Sequence, residues 1–228
     1  MIVVDKWYAP FEDFFSHLPG GERIENFGKE SRLEALKFVS KKRSVIDIGA
    51  HIGISVNHWS TEFDSVYAFE PLKEHYDCLI KNTETLNNIK SYNYGLGNFE
   101  GTTKGAYRSL KNSGSFQIID SNYVQPRNEN KIRNLVDIEI KKLDSFEFEN
   151  IDLIKIDVEG WEFEVIQGAI ETIKKHKPVL MIEVLVDHPN KTLKTGYDSN
   201  KLNDLLKDLN YKESAHIIPD DKIFTPNE

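Results

Sequence analysis

At 228 residues, with 39% hydrophobic, 29% charged and 11% aromatic residues, the chain can fill a substantial core and lacks the polar bias of a disordered protein. Its formal charge of −8 disfavours long-range attraction to nucleic-acid phosphates, its one cysteine, Cys78, excludes an internal disulfide or a cysteine-based zinc site, and no apolar run approaches the roughly 18 residues of a membrane span. These features point to a soluble, cytoplasmic domain, monomeric or homodimeric, acting on a small or neutral substrate without a membrane partner; frequent Lys, Asn and Ile fit an AT-rich bacterial or viral genome.

Residues 1–30 hold an aromatic cluster (Trp7, Tyr8, Phe11, Phe14, Phe15) and an "LPGGE" turn without clear periodicity, and read as a cap or lid. "SRLEALKFVSKK" then predicts a helix: Ser31 and Glu34 form a capping box, and Leu33, Leu36 and Val39 follow at helical spacing. Beyond it, apolar runs alternate with amphipathic segments. "SVIDIG", "SVYAFE" and "IKSYNYGLG" read as strands, "GISVNHWSTE" and "KEHYDCLIKNTETL" as helices, the latter burying Tyr76, Leu79 and Ile80. After an interruption come the strand "IDLIKIDV", one helix burying Phe163, Ile166, Ile170 and Ile173, the strand "PVLMIEV", the helix "KLNDLLKDLN", and closing strands "YKESAHII" and "KIFTP". Nearly continuous apolar strands alternating with helices imply a doubly wound α/β sheet, mostly parallel and covered on both faces.

The interruption, Asn98 to Asp144, carries the strand-like pieces "GSFQII" and "LVDIEIKKL" and sits where a ligand-facing insertion belongs. Its Lys104, Arg108, Lys111, Arg127, Lys131 and Arg133 suit an anionic sugar, a sugar nucleotide or an RNA end, or simply keep a loop soluble.

"VIDIGAHIG" is the most specific segment. Gly49 and Gly53 let backbone approach a ligand between a strand and a helix N-terminus, while His51 occupies the position where a dinucleotide fingerprint needs its second glycine, which argues against an NAD-type oxidoreductase. Asp47, two residues before Gly49, would repel a pyrophosphate but attract a cationic amino group, directly or through water. Glu70 in "YAFEP" lies 23 residues after Asp47, the range for a carboxylate that takes ribose hydroxyls. A nucleoside with a cationic amino-acid tail satisfies both acids, and S-adenosyl-L-methionine is such a molecule.

With "YAFEP", "NYGLGN", "KKLDSF", "IDLIKIDVEGWEFEVIQGA" and "PVLMIEV" in order, the sequence resembles the FkbM-type methyltransferases, a branch of the class I S-adenosylmethionine-dependent enzymes. The resemblance covers roughly Ser44 to Val186 in blocks, and "DVEG" is its most family-specific element. It implies a Rossmann-like, seven-stranded sheet with the last strand antiparallel, a methyltransferase domain over 31–228, and O-methylation, often of sugars or hydroxylated natural products. By position it puts Asp47, Gly49, Ala50, His51 and Gly53 around the methionine part of the donor, Glu70 and Pro71 at the ribose, and Tyr94, Gly95 and Leu96 at the adenine edge, with Asp157 and Glu159 bordering methyl transfer. The commonest loop of the family has Asn where this chain has His51.

Methylating a hydroxyl requires near-attack geometry and a base. Asp157, at a strand end, and Glu159 are the first candidates; Glu183 and His188 in "IEVLVDHPN" are a second pair, set against the plainer reading of His188 as a solvated loop residue. These four groups could gather a divalent cation, but their spacing does not demand it, and a metal-independent enzyme is expected. Glu162 and Glu164 suit the start of a helix whose other end carries Lys174, Lys175 and His176. The leading expectation is an O-methyltransferase for a carbohydrate or glycosylated acceptor; an RNA or nucleotide acceptor, or a catalytically silent donor-binding subunit, is the alternative.

Overall fold

A computed structural model of the chain describes residues 1–4, 6–11, 24–109, 112–119, 135–185, 198–217 and 220–227. A short hairpin (β1, Ile2–Val4; β2, Trp7–Ala9) precedes α1 (Lys29–Leu36), after which β3 (Ser44–Ile48), α2 (Ile54–Trp59), β4 (Ser65–Phe69), α3 (Lys73–Asn82) and β5 (Ile89–Tyr92) alternate. Four strands follow, β6 (Gly95–Leu96), β7 (Gly101–Tyr107), β8 (Phe116–Ile119) and β9 (Val136–Lys141). The alternation resumes with β10 (Ile151–Ile156), α4 (Glu162–Gln167), α5 (Ile170–His176), β11 (Val179–Glu183), α6 (Ser199–Asp208), β12 (Tyr211–Ile217) and β13 (Asp221–Pro226).

The main sheet has the order β12-β13-β11-β10-β3-β4-β5. Its five strands from β11 to β5 pair in parallel, and the last strand of the chain, β13, enters antiparallel to both β11 and β12. This is a Rossmann-like α/β fold, as the alternation of buried strands and helices requires. β3 is buried throughout, and two apolar clusters cover the two faces, one around Ile46, Ile48, Ile154 and Ile156, the other around Val45, Val66, Leu153 and Met181. Because the chain moves outward from β3 in one direction to β4 and later in the other to β10, a crevice opens beyond the carboxyl ends of β3 and β10.

Several local expectations are corrected. Helix α1 begins at Lys29 after left-handed Gly28, so Ser31 is no cap; its hydroxyl donates instead to the Asp221 carboxylate. The face that α1 buries carries Ser31, Arg32 and Ala35, and Leu33 stays 46% exposed. In α3, His75, Cys78 and Leu79 are buried and Ile80 faces outward.

The stretch "IKSYNYGLG" is two strands in two sheets. Asn93 donates from Nδ2 to the carbonyls of Glu70 (2.8 Å) and Pro71 (2.9 Å), which turns the chain out of the main sheet. β6 then opens a second sheet of order β6-β9-β7-β8, so the inserted sheet starts at Gly95, before the expected Asn98. The expected single helix after "DVEG" is also divided, at Gly168. A Cβ there would stand 1.9 Å from the Gly97 carbonyl oxygen, and the freed Gly168 carbonyl accepts the Asp144 N–H at 3.0 Å. Asp144 in turn caps α5, accepting the amides of Glu171 (3.1 Å) and Thr172 (2.8 Å). Phe163 and Ile170 are only half-buried; Val165, Ile166, Thr172 and Ile173 are the inward residues of the pair.

Within the segment read as a cap, β1 and β2 pack Trp7 and Ala9 inward, and Trp7 joins Ile24, Ile52, Ile54 and Cys78 in a third apolar cluster. Among the described residues no helix is long and apolar enough to cross a membrane.

Candidate functional site

The site grows from the turn between β3 and α2. Gly49 has φ 79°, and a Cβ on it would lie 1.8 Å from the Asp157 carbonyl oxygen, so the close approach of the β3 and β10 ends admits only glycine. The amides of Gly49 and Ala50 both donate to the Phe69 carbonyl at 3.0 Å, tying the loop to the end of β4. Glu70, almost fully buried, completes the tie: Oε2 accepts the His51 N–H and Oε1 the Leu72 N–H, each at 2.9 Å. His75 Nδ1 lies 3.5 Å from Oε1, and acceptor capacity remains on Oε2. Gly53 has a different purpose. At φ 92° it opens α2, and a Cβ there would meet Leu79 at 2.7 Å; it lies off the cavity wall and serves packing.

A cavity of about 830 Å³ lies over this loop, within the size range of small-molecule sites. Gly49, Ala50 and His51 line one part with Glu70 and Pro71; Tyr94, Gly95 and Leu96 border the same end. Asp157, Glu159 and Glu183 line another part, so one space brings together most of the residues singled out from the sequence. His188 lies outside the described residues.

Asp47 is the main correction. It is 0% exposed and absent from the cavity wall, so it does not reach a ligand directly. Its carboxylate accepts the Trp59 indole N–H at 3.1 Å and faces Lys155 Nζ at 3.2 Å. Lys155 Nζ stands 3.2 Å from Asp157 as well, and Lys155 does line the cavity. Burial works to strip the proton from Lys155, but Asp157 and Asp47 outweigh it and raise its pKa, so the ammonium stays charged. The lysine interrupts an apolar run, "LIKID", and a charge in a buried strand is itself the signal that a buried partner exists.

The "DVEG" turn carries its strain in two consecutive residues, Glu159 at φ 55° and Gly160 at φ 102°. Glu162 supports that turn by accepting the Gly160 N–H at 2.8 Å, and is fully buried, so it holds the loop rather than only facing the helix dipole. The turn aims Glu159 into the cavity, where Gln117 Nε2 on β8 reaches its Oε2 at 3.4 Å. Burial, then the neighbouring Asp157 charge, push the Glu159 carboxyl up to about 7. Burial and the Asp157 and Glu159 charges raise Glu183 well above the ordinary carboxylate range.

His51 adopts φ 50° and lies against the inserted sheet: its Nε2 is 2.9 Å from Ser113 Oγ, and its ring meets His75 edge-on at 4.4 Å. Burial, with His75 and Lys155 nearby, holds its pKa well below the ordinary imidazole value, so the ring is neutral at neutral pH. Among the described residues no group of three His, Cys, Asp or Glu side chains is arranged to hold a metal ion.

The sequence matches the Methyltransferase FkbM domain family over residues 47–213, nearly three quarters of the chain, a span that includes Gly49, Glu70, Lys155, Asp157, Glu159 and Glu183 of the site. The chain belongs to the FkbM methyltransferase family. It is 27% identical over 164 residues to Methyltransferase sdnD of Sordaria araneosa, a match covering 56% of this chain and 60% of that one. A crystal structure of Methyltransferase FkbM from Methylobacillus flagellatus shares the fold at a TM-score of 0.52 with 19% identity, over 81% of this chain and 43% of that one. A ribosomal protein L11 methylase structure from Lactobacillus delbrueckii subsp. bulgaricus aligns at 0.51 with 10% identity, covering 87% of this chain and 77% of that one. This chain therefore spans less than two thirds of the first two relatives' lengths.

The residues that sequence reasoning missed are Lys155 and Gln117, inside the matched span, and Arg32, which precedes it. Gln117 sits in a strand whose register decides which side chain faces the cavity, and its reach to Glu159 spans 42 positions. Arg32, 2% exposed, donates to the carbonyls of Phe27 and Glu25, so a guanidinium fastens the segment before α1 over the cavity.

Proposed function

We propose that this FkbM domain binds S-adenosylmethionine and transfers its methyl group to a hydroxyl of a sugar or glycosylated small molecule. The observation that carries the reading is the continuity of the cavity: an anchored acid, Glu70, borders one part and a carboxylate near its titration midpoint, Glu159, borders another.

The residues present fit the donor. Glu70 has spare acceptor capacity for ribose hydroxyls, Tyr94 to Leu96 offer an apolar edge to adenine, and the Gly49 to His51 backbone with Lys155 and Asp157 offers charges of both signs to an amino-acid group. When bound, the donor supplies a methyl on a sulfonium whose thioether leaving group needs no proton. The work left to the chain is to orient the acceptor and take its proton. Glu159 suits that task, since a carboxyl with a pKa about 7 is substantially ionised at neutral pH yet basic enough to accept a proton. Lys155 Nζ stands 3.2 Å from Asp157 beside it. The charge of −8 supports a carbohydrate or other small acceptor over a nucleic acid, and a cytoplasmic setting belongs to the same proposal.

Thermal shift with S-adenosylmethionine, S-adenosylhomocysteine and NAD tests the donor, because a ligand of the native state raises the melting temperature by mass action. Preference for NAD would overturn it. Incubation with methyl-labelled donor and a glycan mixture, read by mass spectrometry, tests the acceptor; label carried only by RNA or protein from a cell extract overturns that half.

A further inference from the structure

The carboxylates of the cavity are unevenly distributed. Glu70 follows β4, whereas Glu183 ends β11 and Asp221 begins β13, on the far side of β10 and β3. With about 4.8 Å between neighbouring strands, Glu183 and the β4 end are separated by roughly 14 Å of sheet. The β11 end of the cavity is lined by Asp157, Glu159, Glu183 and Asp221. The cations there are fewer than the acids: Lys155 is shared between Asp47 and Asp157, Arg32 donates to the carbonyls of Phe27 and Glu25 while its charge acts on Asp221, and the Arg108 charge acts on Glu159. Lys29 and Glu30, of opposite charge, are exposed at the rim.

Glu183 marks where the imbalance is greatest. Its Oε2 is sealed from solvent and has no hydrogen-bond partner among the described residues, although the side chain borders the cavity. A buried carboxylate without a partner is costly, so it either keeps its proton or waits for a cation. Burial and the surrounding acids raise both Glu183 and Asp221, the response expected of a lobe with too few positive charges. A divalent metal is a poor occupant, since no three ligating side chains converge among the described residues. An organic ammonium needs no such convergence: it donates to one or two carboxylates and leaves the rest of its body to the apolar wall that Met181 and Ile217 supply.

We infer that the acceptor is an amino sugar or similar polyol amine, whose protonated amine is held by Glu183 and Asp221 while a neighbouring hydroxyl faces Glu159. The inference rests on the reading that the opposite end of the cavity holds the donor.

The test is calorimetric titration of the full chain saturated with S-adenosylhomocysteine, using glucosamine, glucose and N-acetylglucosamine as probes. Glucosamine should bind about tenfold or more tighter than either neutral sugar, and Glu183→Gln should erase the difference. Asp221→Asn, which keeps a hydrogen-bond partner for Ser31, should reduce it independently, guarding against a variant that misfolds. Equal binding of the three sugars, binding of none, or a glucosamine preference that survives both substitutions overturns the inference. If S-adenosylhomocysteine itself fails to bind, the donor reading falls and the inference with it.

Discussion

The Lys155 ammonium meets the Asp47 carboxylate at 3.2 Å across adjacent parallel strands, where the two residues are direct register partners and Asp47 is wholly shut from water. Removing one member strands the other charge. Lys155→Met should therefore lower stability by about 3 to 5 kcal/mol in urea unfolding, and adding Asp47→Asn should recover part of the loss by removing the orphaned charge. Additive losses in the double variant would refute the pairing as the source of the effect.

Gly49→Ala should be more damaging than its size suggests. The new Cβ would enter the Asp157 carbonyl and the residue would be held at φ 79°, so a stability loss of about 3 kcal/mol or more is expected, together with loss of donor binding. Circular dichroism and titration with S-adenosylhomocysteine check both; a well-folded, binding-competent variant would show that the β3 and β10 ends separate easily.

Glu70 holds the loop, and the proposed function gives it the donor ribose as well. Glu70→Ala removes the acceptor of the His51 and Leu72 amides, each a charge-assisted bond worth roughly 1.5 to 3 kcal/mol. Affinity for S-adenosylhomocysteine should fall by about tenfold to a hundredfold with a lower melting temperature. Unchanged affinity would place the ribose elsewhere.

Glu159 gives a pH signature with a definite sign. Its carboxyl is raised from 4.5 to about 7 in the folded chain, so the unfolded chain loses its proton first and stability falls as pH rises from 4.5 to 7. Glu159→Gln should remove this contribution, gaining on the wild type by roughly 1 to 3 kcal/mol over that interval. Methyl transfer in the wild type should rise through pH about 7 as the base ionises, and that rise should vanish in the variant. A glutamine variant with the wild-type stability slope and full turnover would remove Glu159 from both roles.

How much of this was legible varied with the range of the interaction. Strands such as Ser44–Ile48 and Val179–Glu183 announced themselves as apolar runs, and the Gly49 turn as a strand-to-helix loop, because those signals are local. The Gly168 break was not legible: its cause is the Gly97 carbonyl, 71 positions earlier, while the local pattern continues a helix. Ser31 shows the same limit, since a plausible cap is diverted to Asp221, 190 positions away. In the site, Asp157, Glu159 and Glu183 were readable as acids at strand ends. For Asp47 only the direct route to a ligand is closed, because a sequence shows where a strand ends but not that its tip is sealed by Trp59 and Lys155.

Asn82, at the end of α3, has one further consequence. Its Oδ1 accepts the Tyr8 N–H at 2.7 Å, and its Nδ2 donates to the carbonyls of Tyr8 (2.9 Å) and Ile52 (2.8 Å). One amide thus clips the first hairpin to the turn that follows the Gly49 loop. Trimming residues 1–9 to tidy an expression clone would leave that amide half-satisfied and loosen the turn at Ile52, so a shortened protein that binds donor poorly would report a missing brace and not an inactive enzyme.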